Sequence, residues 1–175
     1  DTQLIIDDIK NIKGNNIPKV DILVGGFPCQ SFSIAGYRKG FEDDRGNLFF
    51  EIIRLIGEME LNNNKPKAIL LENVKNLYTH DKGNTYKIIK KSLEDLNYIV
   101  DTKILNTCEY GNIPQNRERV FIVAFLKEEV FKNFKWPSRI KLSRSLEEII
   151  DRNSTKLEKY YYMEDKKCFS LLNEN

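Results

Sequence analysis

The sequence predicts an open, largely parallel α/β sheet, and three observations predict it. Short apolar runs alternate with stretches whose apolar residues recur at helical spacing, clusters of Gly, Asn and Pro separate them, and the order reads strand, helix, strand, helix, strand, strand. Helical crossovers return the chain in the same direction, so neighbouring strands run parallel, with an antiparallel strand admitted at the end. The 175 residues leave room for one core.

Each element has its own signature. Residues 20–24 are an apolar run ended by Gly25 and Gly26, the pattern of a buried strand entering a tight turn. From Asn47, a capping type, Leu48, Ile52, Leu55, Ile56 and Met59 mark one face of a helix, with Glu51, Arg54 and Glu58 on the other side. The breaker Asn62-Asn63-Asn64-Lys65-Pro66 ends it, and residues 68–71 are the next strand. After a loop at residues 81–84, Tyr86, Ile89, Leu93 and Leu96 form the stripe of a second helix, its outer face carrying Lys87, Lys90, Lys91 and Glu94. Residues 99–105 alternate as a strand, and residues 120–126 are a continuous apolar run suited to a well-covered one. Leu4-Ile5-Ile6 is a candidate further strand, and a helix is expected from Ser145 through Leu146, Ile149 and Ile150.

Composition narrows the function classes. With 41% hydrophobic and 31% charged residues, disordered and collagen-like classes are excluded, and no apolar run approaches the ~18 residues of a membrane span. A net charge of +2 gives no whole-chain footprint for nucleic acid, though it leaves room for a local patch. Three dispersed cysteines and a single His argue against a disulfide framework and against a metal site, so a reducing, cytoplasmic setting is expected.

In open α/β sheets ligands sit outside the carboxyl ends of the strands. Three polar constellations fall at strand ends here. Gly25-Gly26-Phe27-Pro28-Cys29-Gln30-Ser31-Phe32-Ser33 puts a cysteine in a Gly/Pro turn among polar neighbours, a setting for a nucleophile rather than for a small core residue. Glu72-Asn73-Val74 puts an acid at the mouth of a buried strand, either as a solvated loop residue or as a placed carboxylate. Gln115-Asn116-Arg117-Glu118-Arg119 precedes the last strand, either as a solvated turn or as two forked cations at i and i+2 that reach one side.

Taken in order, the three resemble the motif series of the DNA (cytosine-5)-methyltransferases, of the bacterial restriction–modification type. The likeness extends through Gly40-Phe41-Glu42-Asp43-Asp44-Arg45-Gly46-Asn47-Leu48-Phe49 and His80-Asp81-Lys82-Gly83-Asn84-Thr85. It implies a Rossmann-like S-adenosylmethionine-dependent methyltransferase fold, incomplete here, because the N-terminal cofactor strands with their glycine-rich turn and the target-recognition domain are not found. On this reading residues 1–126 are the central and C-terminal part of the catalytic domain, residues 127–175 lead towards the recognition domain, and the chain is a fragment, inactive alone.

The resemblance also assigns roles. Cys29 is the nucleophile that adds to C6 of cytosine, which makes C5 reactive enough to take a methyl group. Glu72 protonates or hydrogen-bonds N3, a task for a carboxyl that carries or shares a proton. Arg117 binds the base at O2 and holds Glu72. Gln30, Ser33, Arg45, Asn73, Val74 and Arg119 hold the substrate, double-stranded DNA with its target base flipped out, and residues 30–45 form a lid. Asp8 and Ile9 contact the adenine of S-adenosylmethionine, while Pro28 and Leu48 line its site. No metal and no membrane are implied. Cys108, Cys168, His80 and the tyrosines at 160–162 read as structural, and Trp136 as an anchor for the tail.

Three other readings compete. A Cys29–His80 hydrolase leaves Glu72, Arg117 and Arg119 without roles. A transfer-RNA cytosine-5 methyltransferase shares the nucleophile and fold, although Gly-Phe-Pro-Cys-Gln is more like the DNA branch. A split or non-catalytic subunit would dock with a complementary chain that carries the cofactor turn.

Overall fold

The computed structural model describes residues 4–28 and 48–150. Cys29, Gln30, Ser33 and Arg45, with the expected lid, the Asn47 cap, Cys168 and the tyrosine run, lie outside the described residues. The chain divides into two compact units, Asp1–Leu142 and Ser143–Asn175.

In the first unit the elements are β1 (Ile22–Gly26), α1 (Leu48–Leu61), β2 (Ala68–Val74), the single turn α2 (Asn76–Thr79), α3 (Asn84–Asp95), β3 (Ile99–Asn106), the single turn α4 (Thr107–Tyr110), β4 (Glu118–Phe125) and α5 (Glu128–Asn133). Among the described residues the sheet has four strands in the order β1-β2-β4-β3. β1 and β2 are parallel, and β4 runs antiparallel to both β2 and β3. The antiparallel strand is therefore last in the chain, as expected, but interior in the sheet.

One face of the sheet is the core. Ile69 and Leu71 of β2 lie opposite Ala124 and Ile122 of β4, and α1 and α3 cover them with Phe49, Ile52, Ile56, Ile89 and Leu93. The leading buried residue of α1 is Phe49, not Leu48, which is only half-buried. Both long helices stop the same way. Asn63 (φ 54°) and Asn97 (φ 62°) adopt the left-handed conformation, and the next residue's N–H reaches back to the carbonyls of Met59 and Leu93 (2.8 and 3.2 Å). Asn tolerates that region better than a branched residue does, which is the physical content of the breaker signal. Beyond α3, Tyr98 is buried; its hydroxyl donates to the Pro66 carbonyl (2.6 Å), and burial pushes its pKa well above the ordinary phenol value.

The opposite face is covered less evenly. Phe131 and Phe134 stack on Phe125 at the β4 end, and Trp136 Nε1 donates to Asp101 (2.7 Å), so residues 127–142 are fastened to the first unit. At the other edge, Ile22 and Val24 of β1 point outward and are more than half exposed.

Two expected elements do not form. Residues 4–6 are exposed chain with no strand partner among the described residues. The stretch after Ser145 makes one turn, with the N–H groups of Ile149 and Ile150 both donating to Leu146 O, and no helix among its described residues. Its apolar positions are too few to bury a helical face.

Candidate active site

Strand β2 is longer than its apolar run. Glu72, Asn73 and Val74 are its last three residues, alternating as half-buried, buried and exposed, so the acid and the amide point to opposite faces of the sheet. The same holds for β1, where Gly25 and Gly26 are not a turn but strand residues paired with Leu71 and Glu72. Pairing with β2 carries the strand through both, which overrides the turn preference of a Gly-Gly pair. Gly26 has a use in this place: a Cβ there would lie 3.7 Å from Glu72 Oε2, so the missing side chain keeps the space beside the carboxylate clear.

Because β4 is antiparallel, its beginning lies at the edge where β1 and β2 end. Arg119 sits opposite Val74 in register, and Glu72 opposite Phe121, which makes Arg119 and Glu72 diagonal neighbours on one face. Their side chains meet, with Arg119 Nε 3.0 Å from Glu72 Oε1. The side chains are 22% and 41% exposed, so the pair is neither dry nor fully solvated. The expected partner of Glu72 was Arg117. The strand register gives the acid to Arg119 instead, because Arg117 lies just outside β4, where its guanidinium is exposed and makes no bond among the described residues. Beside them Lys75 pairs with Glu118 (2.7 Å), tying the ends of β2 and β4.

Asn73 works on the core side. It is 4% exposed, its Nδ2 donates to the Phe27 carbonyl (2.7 Å), and its Oδ1 accepts from the N–H of Val74 (2.8 Å). One buried side chain thus fastens the end of β2 to the backbone two residues before Cys29. Pro28 follows Phe27, whose ring packs on Phe49 (5.3 Å between centroids), and Leu48 opens α1 next to it.

The segment holding Asp8 and Ile9 is held by residues expected on the solvent side of α1. Arg54 donates through Nη2 to the carbonyls of Ile9 and Ile12 (both 3.0 Å) and pairs with Glu51 and Glu58 (both 2.6 Å). Partial burial works against its charge, but the bonds to Glu58 and Glu51 leave its pKa raised. Glu58 also accepts from the Gly14 N–H (2.6 Å); this bond and then Arg54 hold the carboxyl below its ordinary value of 4.5. Gly14 is required by close approach: a Cβ would lie 2.5 Å from Glu58 Cβ and 2.8 Å from the Leu55 carbonyl. Asp8 itself stays exposed, accepting from the Lys10 N–H (3.0 Å). Arg54, Glu58 and Gly14 thus support the segment that carries Asp8 and Ile9, a role for which the sequence did not single them out. The Glu51, Arg54, Glu58 spacing on one helix was the available signal.

His80 Nδ1 is hydrogen-bonded to Thr85 Oγ1 (2.6 Å), a role within its own turn. No group of metal-binding side chains occurs among the described residues, and none of the described helices is long and apolar enough to cross a membrane.

The fold is similar to that of known methyltransferases. It matches the structure of the Entamoeba histolytica methyltransferase EhMeth with a TM-score of 0.58 at 24% identity, over 81% of this chain and 43% of that one. The model of the C-5 cytosine-specific DNA methylase family matches residues 2–172. The Type II methyltransferase M.Bsp6I of Bacillus sp. (strain RFL6) is 49% identical over 168 residues, 95% of this chain and 52% of the relative. The Type II methyltransferase M.SsoII of Shigella sonnei is 49% identical over 148 residues, 83% of this chain and 38% of the relative. The chain belongs to the C-5 cytosine-specific DNA methylase family, and it spans about half or less of the length of these relatives.

Proposed function

We propose that the protein carrying this chain methylates C5 of cytosine in double-stranded DNA, as a restriction–modification methyltransferase. The observation that supports the reading most is the Glu72–Arg119 pair, set beside Gly26 at the strand end from which the chain runs on to Cys29. Nucleophile, acid and forked cation are the three groups that attack at C6 requires.

The Cys29 thiolate forms a bond to C6, and the C5–C6 electron pair shifts into C5–C4, leaving negative charge shared by N3 and the O2 carbonyl. Glu72, in the form whose carboxyl carries a proton, meets the charge developing on the ring by giving a hydrogen bond or that proton to N3. Arg119 fixes the direction of that carboxyl, and Arg117, exposed beside the strand end, takes the base at O2 or the flanking phosphate. After C5 is alkylated, a base in the site or a water takes the C5 proton, the C–H pair re-forms the C5–C6 double bond, N3 gives its proton back to Glu72, and the C6–S bond breaks to release the Cys29 thiolate. The base must leave the stack for this, at a cost of a few kcal/mol, and Gln30, Ser33 and Arg45 are assigned to the strand around it.

S-adenosylmethionine, when bound, supplies the electrophilic methyl group. The residues present fit it: Asp8 offers an exposed carboxylate on a backbone fixed at Ile9 by Arg54, suited to an adenine amino group, with Pro28 and Leu48 as the apolar lining. A transfer-RNA substrate and assembly with a complementary chain are the alternative readings.

Trapping with duplex DNA that carries 5-fluorocytosine tests the reading, because fluorine at C5 cannot leave as a proton does. The complete polypeptide forms a denaturation-resistant adduct in the presence of cofactor, and Cys29→Ser forms none. An adduct that persists in Cys29→Ser refutes the nucleophile. Faster tritium transfer to tRNA than to duplex DNA refutes the substrate.

A further inference from the structure

Between β3 and β4 the chain makes an excursion over residues 107–117, and its neck is closed on Arg117 from both sides. Asn106, the last residue of β3, presents one side-chain oxygen to three donors: the Cys108 N–H (3.3 Å), the Cys108 thiol (3.1 Å) and the Arg117 N–H (3.2 Å). Its Nδ2 donates to Asn116 Oδ1 (2.6 Å). The next residue, Thr107, donates both its N–H and its hydroxyl to the Arg117 carbonyl (3.1 and 3.2 Å). Both backbone polar groups of Arg117 are therefore held by two consecutive residues, while its guanidinium is exposed and unbonded among the described residues. Capping α4 requires only the bond from Cys108 N–H. The bonds to Asn116 and Arg117 do nothing for that helix.

We propose that Asn106 is a positioning residue for DNA, which acts by fixing the backbone under Arg117 so that its fork is presented to the substrate before binding. This rests on the reading of Arg117 as a substrate contact given above. Two residues on, Arg119 is directed by Glu72; Arg117 has no such side-chain partner, and its direction comes from the backbone alone. A backbone ordered in advance spares the binding step that ordering cost. Because Arg117 does not hold Glu72, the loss falls on substrate affinity and not on the chemical step.

Asn106→Ser separates this role from capping. Serine caps a helix about as well as asparagine, but with one short oxygen and no amide it cannot reach Asn116 or Arg117. In the complete polypeptide the expected result is faster hydrogen exchange at the Arg117 amide, a KM for duplex DNA raised about five- to tenfold, and kcat within about twofold of wild type. Added to Arg117→Ala, the substitution raises KM no further, because the two act through one group. A KM effect that adds to that of Arg117→Ala, a fall in kcat alone, or an unfolded Asn106→Ser protein overturns the proposal, the last because structure alone would then be the residue's work. A wild-type polypeptide that neither binds nor methylates cytosine DNA overturns the functional reading and the proposal with it. Wild-type methylation with an unchanged KM in Asn106→Ser overturns the proposal alone.

Discussion

Replacing Arg54 by alanine should loosen the Asp8–Ile9 segment while leaving the core intact. The side chain makes two charge-assisted bonds to backbone carbonyls, at Ile9 and Ile12, and ion pairs with Glu51 and Glu58 on its own helix. Bonds to a charged donor are worth about 1.5–3 kcal/mol each, and with 32% of the side chain exposed the lower end applies, about 3 kcal/mol for the two carbonyl bonds. The helix ion pairs add a few tenths each. Arg54 is no part of the hydrophobic core, so the cost appears as local opening and not as a large fall in the global melting point. Exchange of the Asn11, Ile12 and Gly14 amides should accelerate by up to about a hundredfold. If an ordered segment is what S-adenosylmethionine binds, its affinity falls by about ten- to a hundredfold, because the competent state is a smaller fraction of the ensemble. Arg54→Lys, which keeps the charge and loses the fork, should fall between. Calorimetry and exchange on the same samples check both halves. Faster exchange with cofactor affinity unchanged within about twofold refutes the link between segment and cofactor, and unchanged exchange refutes the clamp.

Two further outcomes follow from the same geometry. Asn73→Asp replaces a buried donor by an acceptor facing the Phe27 carbonyl, so stability should fall by at least about 2 kcal/mol in urea titration, with activity lost ahead of stability because the approach to Cys29 shifts. Glu58 ionises more readily folded than unfolded, so its contribution is present above the unfolded carboxylate range and lost as pH falls through the lower folded value. Exchange at Gly14 followed by NMR from neutral pH into the acid range should show the segment released below about pH 4.5, and Glu58→Gln should flatten that profile.

How much of this was legible in the sequence depends on the range of the interaction. The helix faces and the strand runs were readable because burial imposes a period, and Asn63 and Asn97 marked the helix ends because they do so through their own backbone. The site motifs were readable in kind as well, as an acid at one strand end and arginines near another. Which arginine takes the acid was not, since Arg117 and Arg119 are equally forked and only the pairing of Val74 with Arg119 decides between them. Arg54 and Glu58 read as a solvated face because an apolar stripe says nothing of what a polar one fastens. Asn106 ends a strand and begins a turn, with nothing local to announce that it closes on a residue eleven positions later. Leu4 to Ile6 had the composition of a strand and, among the described residues, lacked what no local pattern supplies, a neighbour.

The interior, reversed position of β4 also has a kinetic meaning. β3 and β4 are close in the chain and can pair early, but the pairing of β2 with β4 must wait for α3 and β3 to be laid down between them. Only that later pairing brings Glu72 to Arg119. A half-folded chain with the β3–β4 ribbon already formed would carry the arginines but no partnered acid, so the ion pair reports that the non-local half of the sheet has closed.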